Sequence, residues 1–219
     1  MKQTNTKKQP VPKMAVLYAI CILAVLSVAA VSIKPSPKKG HQPKTFAQGT
    51  ALTAAKRDSL ASQQAFMAVY KVLMSPRCMN CHPSGDIPLQ GDDSHLHTMD
   101  VKRGEDGKGL YAMKCANCHQ SGNTPGLNMP PGNPSWHLPP ADMRMVFQGK
   151  SASELAAQLK DPNLNGHKTL QQLIKHVSSD TLVMWGWNPG DGRTKPPMAH
   201  AEFARQFKDW VTKGAVVPD

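Results

Sequence analysis

Two copies of one pentapeptide pattern constrain this chain more than any other feature. Cys78-Met79-Asn80-Cys81-His82 and Cys115-Ala116-Asn117-Cys118-His119 both fit C-x-x-C-H. The likeness extends beyond the pattern: Arg77 to Pro88 and Lys114 to Pro125 share seven of twelve residues at an offset of 37. Such a pair predicts two copies of one small structural unit built around similar ligands.

The spacing has a chemical reason. Two cysteines three residues apart can form thioethers to the two vinyl groups on one edge of a porphyrin, and the adjacent His can then ligate its iron. Four of the five cysteines lie in these motifs, and the fifth, Cys21, lies in an N-terminal apolar run. Two other chemistries use C-x-x-C pairs: a four-thiolate zinc site and redox disulfides. Neither explains a His in the next position both times. The expectation is therefore two covalently bound c-type haems, attached through Cys78, Cys81, Cys115 and Cys118, with His82 and His119 as proximal iron ligands.

The second axial ligands are left open by the sequence. With 33 residues between Cys81 and Cys115, neither haem has its own full-length domain before the next motif, which favours two histidines per iron and points to His97 and His137. Behind them stand Met99, Met129, His176 and His200. A thioether would raise the reduction potential relative to a second imidazole, so the choice matters.

The net charge of +11 is unevenly placed. Residues 1–57 hold ten Lys/Arg and no acid, leaving 16 basic against 15 acidic residues after them. A nearly neutral remainder removes the main support for nucleic-acid binding. Met14 to Ile33 carries no charge over twenty residues, enough to cross a bilayer core of ~30 Å as a helix. Four lysines precede it, which favours a cytoplasmic N-terminus and an exported remainder. The expected layout is a basic segment 1–13, a transmembrane anchor 14–33, a Pro/Lys-rich linker 34–50 and a domain from 51 to 219. Ser27-Val28-Ala29 also suits cleavage, so the alternative is a removed signal and a freely exported domain. The anchor puts the chain in the inner membrane as a single-pass protein facing the periplasm.

Within the domain the fold expectation is mainly α with extensive irregular loops, a compact dihaem cytochrome c-type unit. Helices are predicted over 51–74, from the Ser151-Ala152-Ser153-Glu154 capping box to Lys160, over 168–177, and over 199–213 with Phe203, Phe207, Trp210 and Val211 on one face. No strand is predicted. Residues 75–150 are dominated by Pro, Gly, Asn and Asp, so something besides secondary structure must hold them. Arg103-Gly-Glu-Asp-Gly-Lys-Gly109 reads as a turn, since no strand precedes it and no Lys-Ser/Thr closes it. Trp185-Gly-Trp187 reads as core or as a shield for a haem edge.

The wording of residues 75–215 resembles a bacterial family of cytochrome c-type subunits of isoquinoline 1-oxidoreductase. The likeness lies in Cys-His-Pro-Ser-Gly-Asp-Ile-Pro-Leu-Gln-Gly-Asp-Asp, Met-Pro-Pro-Gly-Asn-Pro-Ser-Trp-His-Leu-Pro-Pro, Gln-Leu-Lys-Asp-Pro-Asn-Leu-Asn-Gly and Leu-Val-Met-Trp-Gly-Trp-Asn-Pro-Gly. The resemblance implies an electron-transfer partner to a molybdenum hydroxylase-type oxidoreductase, delivering to a soluble cytochrome or the respiratory chain, and not itself an enzyme. It does not imply that this chain binds isoquinoline. In that family pattern Cys stands at Ala156 and again near Val217; both are absent here, as loss of a disulfide pair predicts. The alternative from another class is a dihaem enzyme of peroxidase type with one open coordination site.

Overall fold

The computed structural model describes residues 45–219. Its regular structure is mainly helical: α1 (Thr45–Leu73), α2 (Pro76–Met79), α3 (Ala152–Lys160), α4 (Leu170–Ser179), α5 (Thr181–Trp185) and α6 (His200–Thr212). Four two-residue strands form two antiparallel hairpins, β1 (Leu89–Gln90) with β2 (His95–Leu96) and β3 (Gly109–Leu110) with β4 (Met113–Lys114). The sequence showed no strand because alternation cannot register over two residues. No helix among the described residues is long and apolar enough to cross a membrane. The predicted anchor at 14–33 and most of the predicted linker lie outside those residues.

Helix α1 starts at Thr45, before the expected linker end at residue 50. Its buried positions Ser62, Ala65, Phe66, Val69, Val72 and Leu73 fall on one 3.6-residue face. That face packs against α6, where Phe203, Phe207 and Trp210 repeat at four and three residues. Phe66 and Trp210 meet with ring centroids 4.7 Å apart. A polar clasp fixes the register. The buried Ser62 hydroxyl donates to the Trp210 carbonyl at 2.8 Å and accepts from the Val216 amide at 3.0 Å. Gly214, at φ 111°, ends α6 and turns the tail back, where Val216 accepts from the Trp210 indole.

Two capping boxes set the intervening helices. Ser151 and Glu154 exchange side-chain and backbone bonds at the start of α3, as predicted, and Thr169 and Gln172 do the same for α4. Leu155, Ala156 and Leu159 of α3, with Leu173 and Val177 of α4, complete the core. Ala156 is buried there and Val217 packs against the same cluster. Nearly all of this core comes from helices at the two ends of the sequence, leaving the loop-rich middle to wrap against one side.

Candidate functional site

The first motif follows directly from the core. Pro76 at the first turn of α2 is preset for helical φ and directs Cys78 inward, with Cys81 and His82 on the turn that follows. His82 donates through Nδ1 to the Met145 carbonyl at 2.7 Å. Its ring lies flat on Phe147, centroids 3.8 Å apart and planes 9° from parallel. The Phe147 amide returns a bond to the His82 carbonyl at 2.9 Å, so segment 145–147 grips the histidine at three points.

Beside it is a cavity of about 380 Å³, within the 300–1,000 Å³ usual for ligand sites. Cys78, Cys81 and His82 line one part; Leu73, Leu159, Leu173, Val177, Phe203 and Phe207 bring the helical core to it; Leu182, Val183 and Trp185 come from α5. His137, His176 and Met143 also face it. His176 is held by Asp180, Nδ1 to carboxylate 3.2 Å, an arrangement that leaves Nε2 as its ligating nitrogen.

Burial sets the protonation states. It pushes the His82 imidazole down to about 4, despite the Met145 carbonyl pulling the other way, so the ring is neutral and able to donate a lone pair. It lowers His176 as well, against the opposing pull of Asp180. The thiols move upward, Cys78 to about 12 and Cys81 to about 11, again through burial. A redox C-x-x-C pair needs the reverse, a thiol whose pKa is lowered.

The second motif repeats this local design on the surface. Hairpin β3–β4 delivers the chain into a tight turn over Cys115–Asn117. The hairpin closes because residue 109 is glycine: at φ 90°, a Cβ there would stand 2.3 Å from the Met113 carbonyl oxygen. His119 donates through Nδ1 to the Pro131 carbonyl at 2.8 Å and lies flat on Trp136, centroids 4.4 Å apart and planes 7° from parallel. Gly132 permits this approach, since a Cβ would fall 2.0 Å from the Gly122 carbonyl oxygen. Even the shared asparagine keeps its role. Asn80 donates to the Gly91 carbonyl and Asn117 to the Ala112 carbonyl, at 2.8 and 2.6 Å.

Opposite His119 stands His97, ring centroids 6.3 Å apart and planes at 66°. With a nitrogen of each ring turned toward it, a metal midway would lie half that distance from each centroid; allowing about 1 Å from centroid to nitrogen leaves about 2 Å, the length of a metal–imidazole bond. Burial lowers both imidazoles below their ordinary range. Apolar side chains flank the pair in sequence and are exposed: Leu96, Met99, Tyr111, Met113, Leu127 and Met129.

The remaining candidates fall elsewhere. His137 is at the first site. Met99 donates its amide to His97 Nδ1 at 3.3 Å and its side chain is exposed. Met129 is also exposed, its carbonyl accepting from Arg193. His200 is not among the cavity-lining residues; its Nε2 donates to the Val177 carbonyl at 2.8 Å and its ring packs on Trp187. That makes it a clasp between α4 and α6.

Three features of the site were not visible in the sequence: the aromatic floors Phe147 and Trp136, the Asp180 behind His176, and Arg103. The predicted turn at 103–109 is present, with Gly104, Gly107 and Gly109 at positive φ, but Arg103 at its head is buried. It donates to the Pro139 and Gly85 carbonyls at 2.5 and 3.1 Å, tying the loop after the first motif to segment 133–140. Gly107 meets that segment too, accepting from the Leu138 amide.

At the first motif, a buried neutral imidazole and two thiols beside an apolar cavity are compatible with a porphyrin. Among the described residues no three His, Cys, Asp or Glu side chains converge as a metal ion bound by protein alone requires. A porphyrin brings its own equatorial nitrogens and asks the chain for axial donors only. Arg77, which lines the cavity and pairs with Asp92 at 2.6 Å, keeps a buried Nε–H that no protein group accepts. A carboxylate-bearing ligand supplies such an acceptor. Comparison with protein-family models, curated proteins and solved structures finds no match to this chain.

Proposed function

We propose that this chain is a dihaem c-type cytochrome that carries single electrons outside the cytoplasm, held to the inner membrane through residues 14–33. The observation that carries the reading is the twofold recurrence of one proximal-histidine device: a C-x-x-C-H histidine with Nδ1 bound to a backbone carbonyl and one face on an aromatic ring. A hydrogen bond from the non-ligating nitrogen fixes tautomer and ring orientation and raises ligand basicity.

Each haem supplies a reversible one-electron couple when bound. The chain's own residues do the rest. Cys78 and Cys81 would hold the first group, and Cys115 and Cys118 the second. His82 and His119 would donate from Nε2, steadied by the Met145 and Pro131 carbonyls. His97 would be the second donor at the second motif. For the first motif we favour His176 over His137, because Asp180 orients its ring. The helical core walls one side of the first site, while the second opens to the surface beside the exposed Cys118.

A histidine opposite His119, and two further histidines lining the cavity beside His82, favour a carrier over an enzyme with an open coordination site. By the resemblance of residues 75–215, the electron donor is a molybdenum hydroxylase-type oxidoreductase and the acceptor a soluble cytochrome or the respiratory chain. The test is pyridine haemochrome quantitation with a haem-stained denaturing gel, on protein made with cytochrome c maturation. Two covalent haems per chain with low-spin bands indifferent to carbon monoxide are expected. A colourless protein from competent cells refutes the reading, and one haem that binds carbon monoxide in the unmutated protein converts it to an enzyme.

A further inference from the structure

We propose that Trp136 and Trp185 are the electronic bridge between the two haem sites, an inference that rests on the dihaem reading. The rings form a continuous line. The His119 ring is stacked on Trp136 at 4.4 Å. Trp136 meets Trp185 edge to face, centroids 4.8 Å apart and planes at 85°. Trp185 in turn lines the cavity of the first motif. Adjacent residues also face opposite ways, since Trp136 backs the second site's histidine while His137 lines the first site's cavity.

Neither indole belongs to the hydrophobic core built by α1, α3, α4 and α6, so core filling does not account for two tryptophans in contact here. Their positions are fixed by specific bonds. The Trp185 indole N–H donates to Asn123 at 2.9 Å, and the Gly132 amide donates to that same oxygen at 3.0 Å. Asn133 donates to the Thr181 carbonyl at 3.0 Å, holding the start of segment 133–140 against α5. One residue of the second motif's loop, Asn123, thereby positions both the bridge and the strand of chain behind His119.

The step is a transfer of one electron from a ferrous haem at one motif to a ferric haem at the other. No bond forms or breaks and no proton moves. The indoles stay neutral and closed-shell, serving as a packed, polarisable medium in place of water. Trp136 and Trp185 are positioning residues in this sense, because neither is itself a ligand.

The test uses the full-length holoprotein. One electron is delivered to the oxidised protein by pulse radiolysis, and its redistribution between the haems is followed in the α band. In the H97A background the same transfer is followed after flash release of carbon monoxide from the second haem. With both potentials of each variant measured by redox titration, Trp136→Leu and Trp185→Leu are expected to slow redistribution several-fold beyond what the change in driving force accounts for, and Trp136→Phe and Trp185→Phe to restore most of the rate. Equal rates in the Leu and unmutated proteins overturn the bridge. Absence of covalent haem from the unmutated chain, seen on the stained gel, overturns the function itself and is distinguished in that way.

Discussion

Replacing His97 with Ala tests the site where geometry is most informative. The 6.3 Å between the His97 and His119 centroids accommodates one metal bonded to both rings at about 2 Å. His119 cannot compensate for a lost partner, because its Nδ1 is committed to Pro131 and its face to Trp136. Met99 is two residues away with an exposed side chain, so the variant is best made alongside H97A/M99A to exclude a substitute thioether. The prediction is a stoichiometric one: carbon monoxide binds one haem of the two in H97A, so half of the total haem responds, against none in the unmutated protein. Optical titration with carbon monoxide and electron paramagnetic resonance of the oxidised protein read the outcome. If H97A stays fully low-spin and unreactive, with Met99 also removed, His97 is not the ligand and the midpoint arithmetic is a coincidence.

His176→Ala is expected to open the other haem to carbon monoxide while His137→Ala leaves it closed; the reverse result transfers the assignment to His137. Ser62→Ala leaves the Val216 amide without its acceptor, while the Trp210 carbonyl keeps its bond from the Ala215 amide, and chemical denaturation should show a loss of about 1 kcal/mol. Arg103→Met removes two charge-assisted bonds to carbonyls, on the order of 3 kcal/mol, so thermal melting should fall further than for a surface Arg variant such as Arg205→Met. Asp92 is subject to burial that would raise its carboxyl, but the Thr194 amide and hydroxyl and Arg77 outweigh this and hold it low. Its contribution is therefore complete above the unfolded carboxylate value of about 3.9 and is lost as pH falls through the lower folded one. Asp92→Asn should flatten the acid limb of a stability–pH curve in that window, and an unchanged limb would show that Asp92 does not couple to folding.

The helical frame was legible wherever one element carried its own signal. The α6 face repeats at Phe203, Phe207 and Trp210, and the α3 cap has its Ser and Glu in the required positions, so periodicity and hydrogen-bond chemistry agree before any tertiary contact forms. Helix α5 was missed because five residues give too little periodicity to register. The hairpins were missed for the same reason, although glycines at positive φ, Gly91 at 75° in the first turn and Gly109 at 90° at the start of β3, are the trace they leave in the sequence.

The candidate site divides along a different line. Covalent attachment is local chemistry, and C-x-x-C-H contains all of it, which is why both motifs were plain. Orientation is not local: His82 depends on Met145 and Phe147, more than sixty residues later, and His119 on Pro131 and Trp136. Nothing within either pentapeptide specifies those partners. What the sequence does hold is the permission for them, in glycines such as Gly132 that let two backbones touch. On the dihaem reading, the second axial ligands are hardest to choose, because a histidine is suitable at almost any place a chain can bring it. Choosing among His97, His137, His176 and His200 required knowing which ring faces His119, which has a carboxylate behind it and which is already bonded to a backbone carbonyl. Those are properties of the packed loops, and the same packing brings Trp136 and Trp185 into line between the two sites.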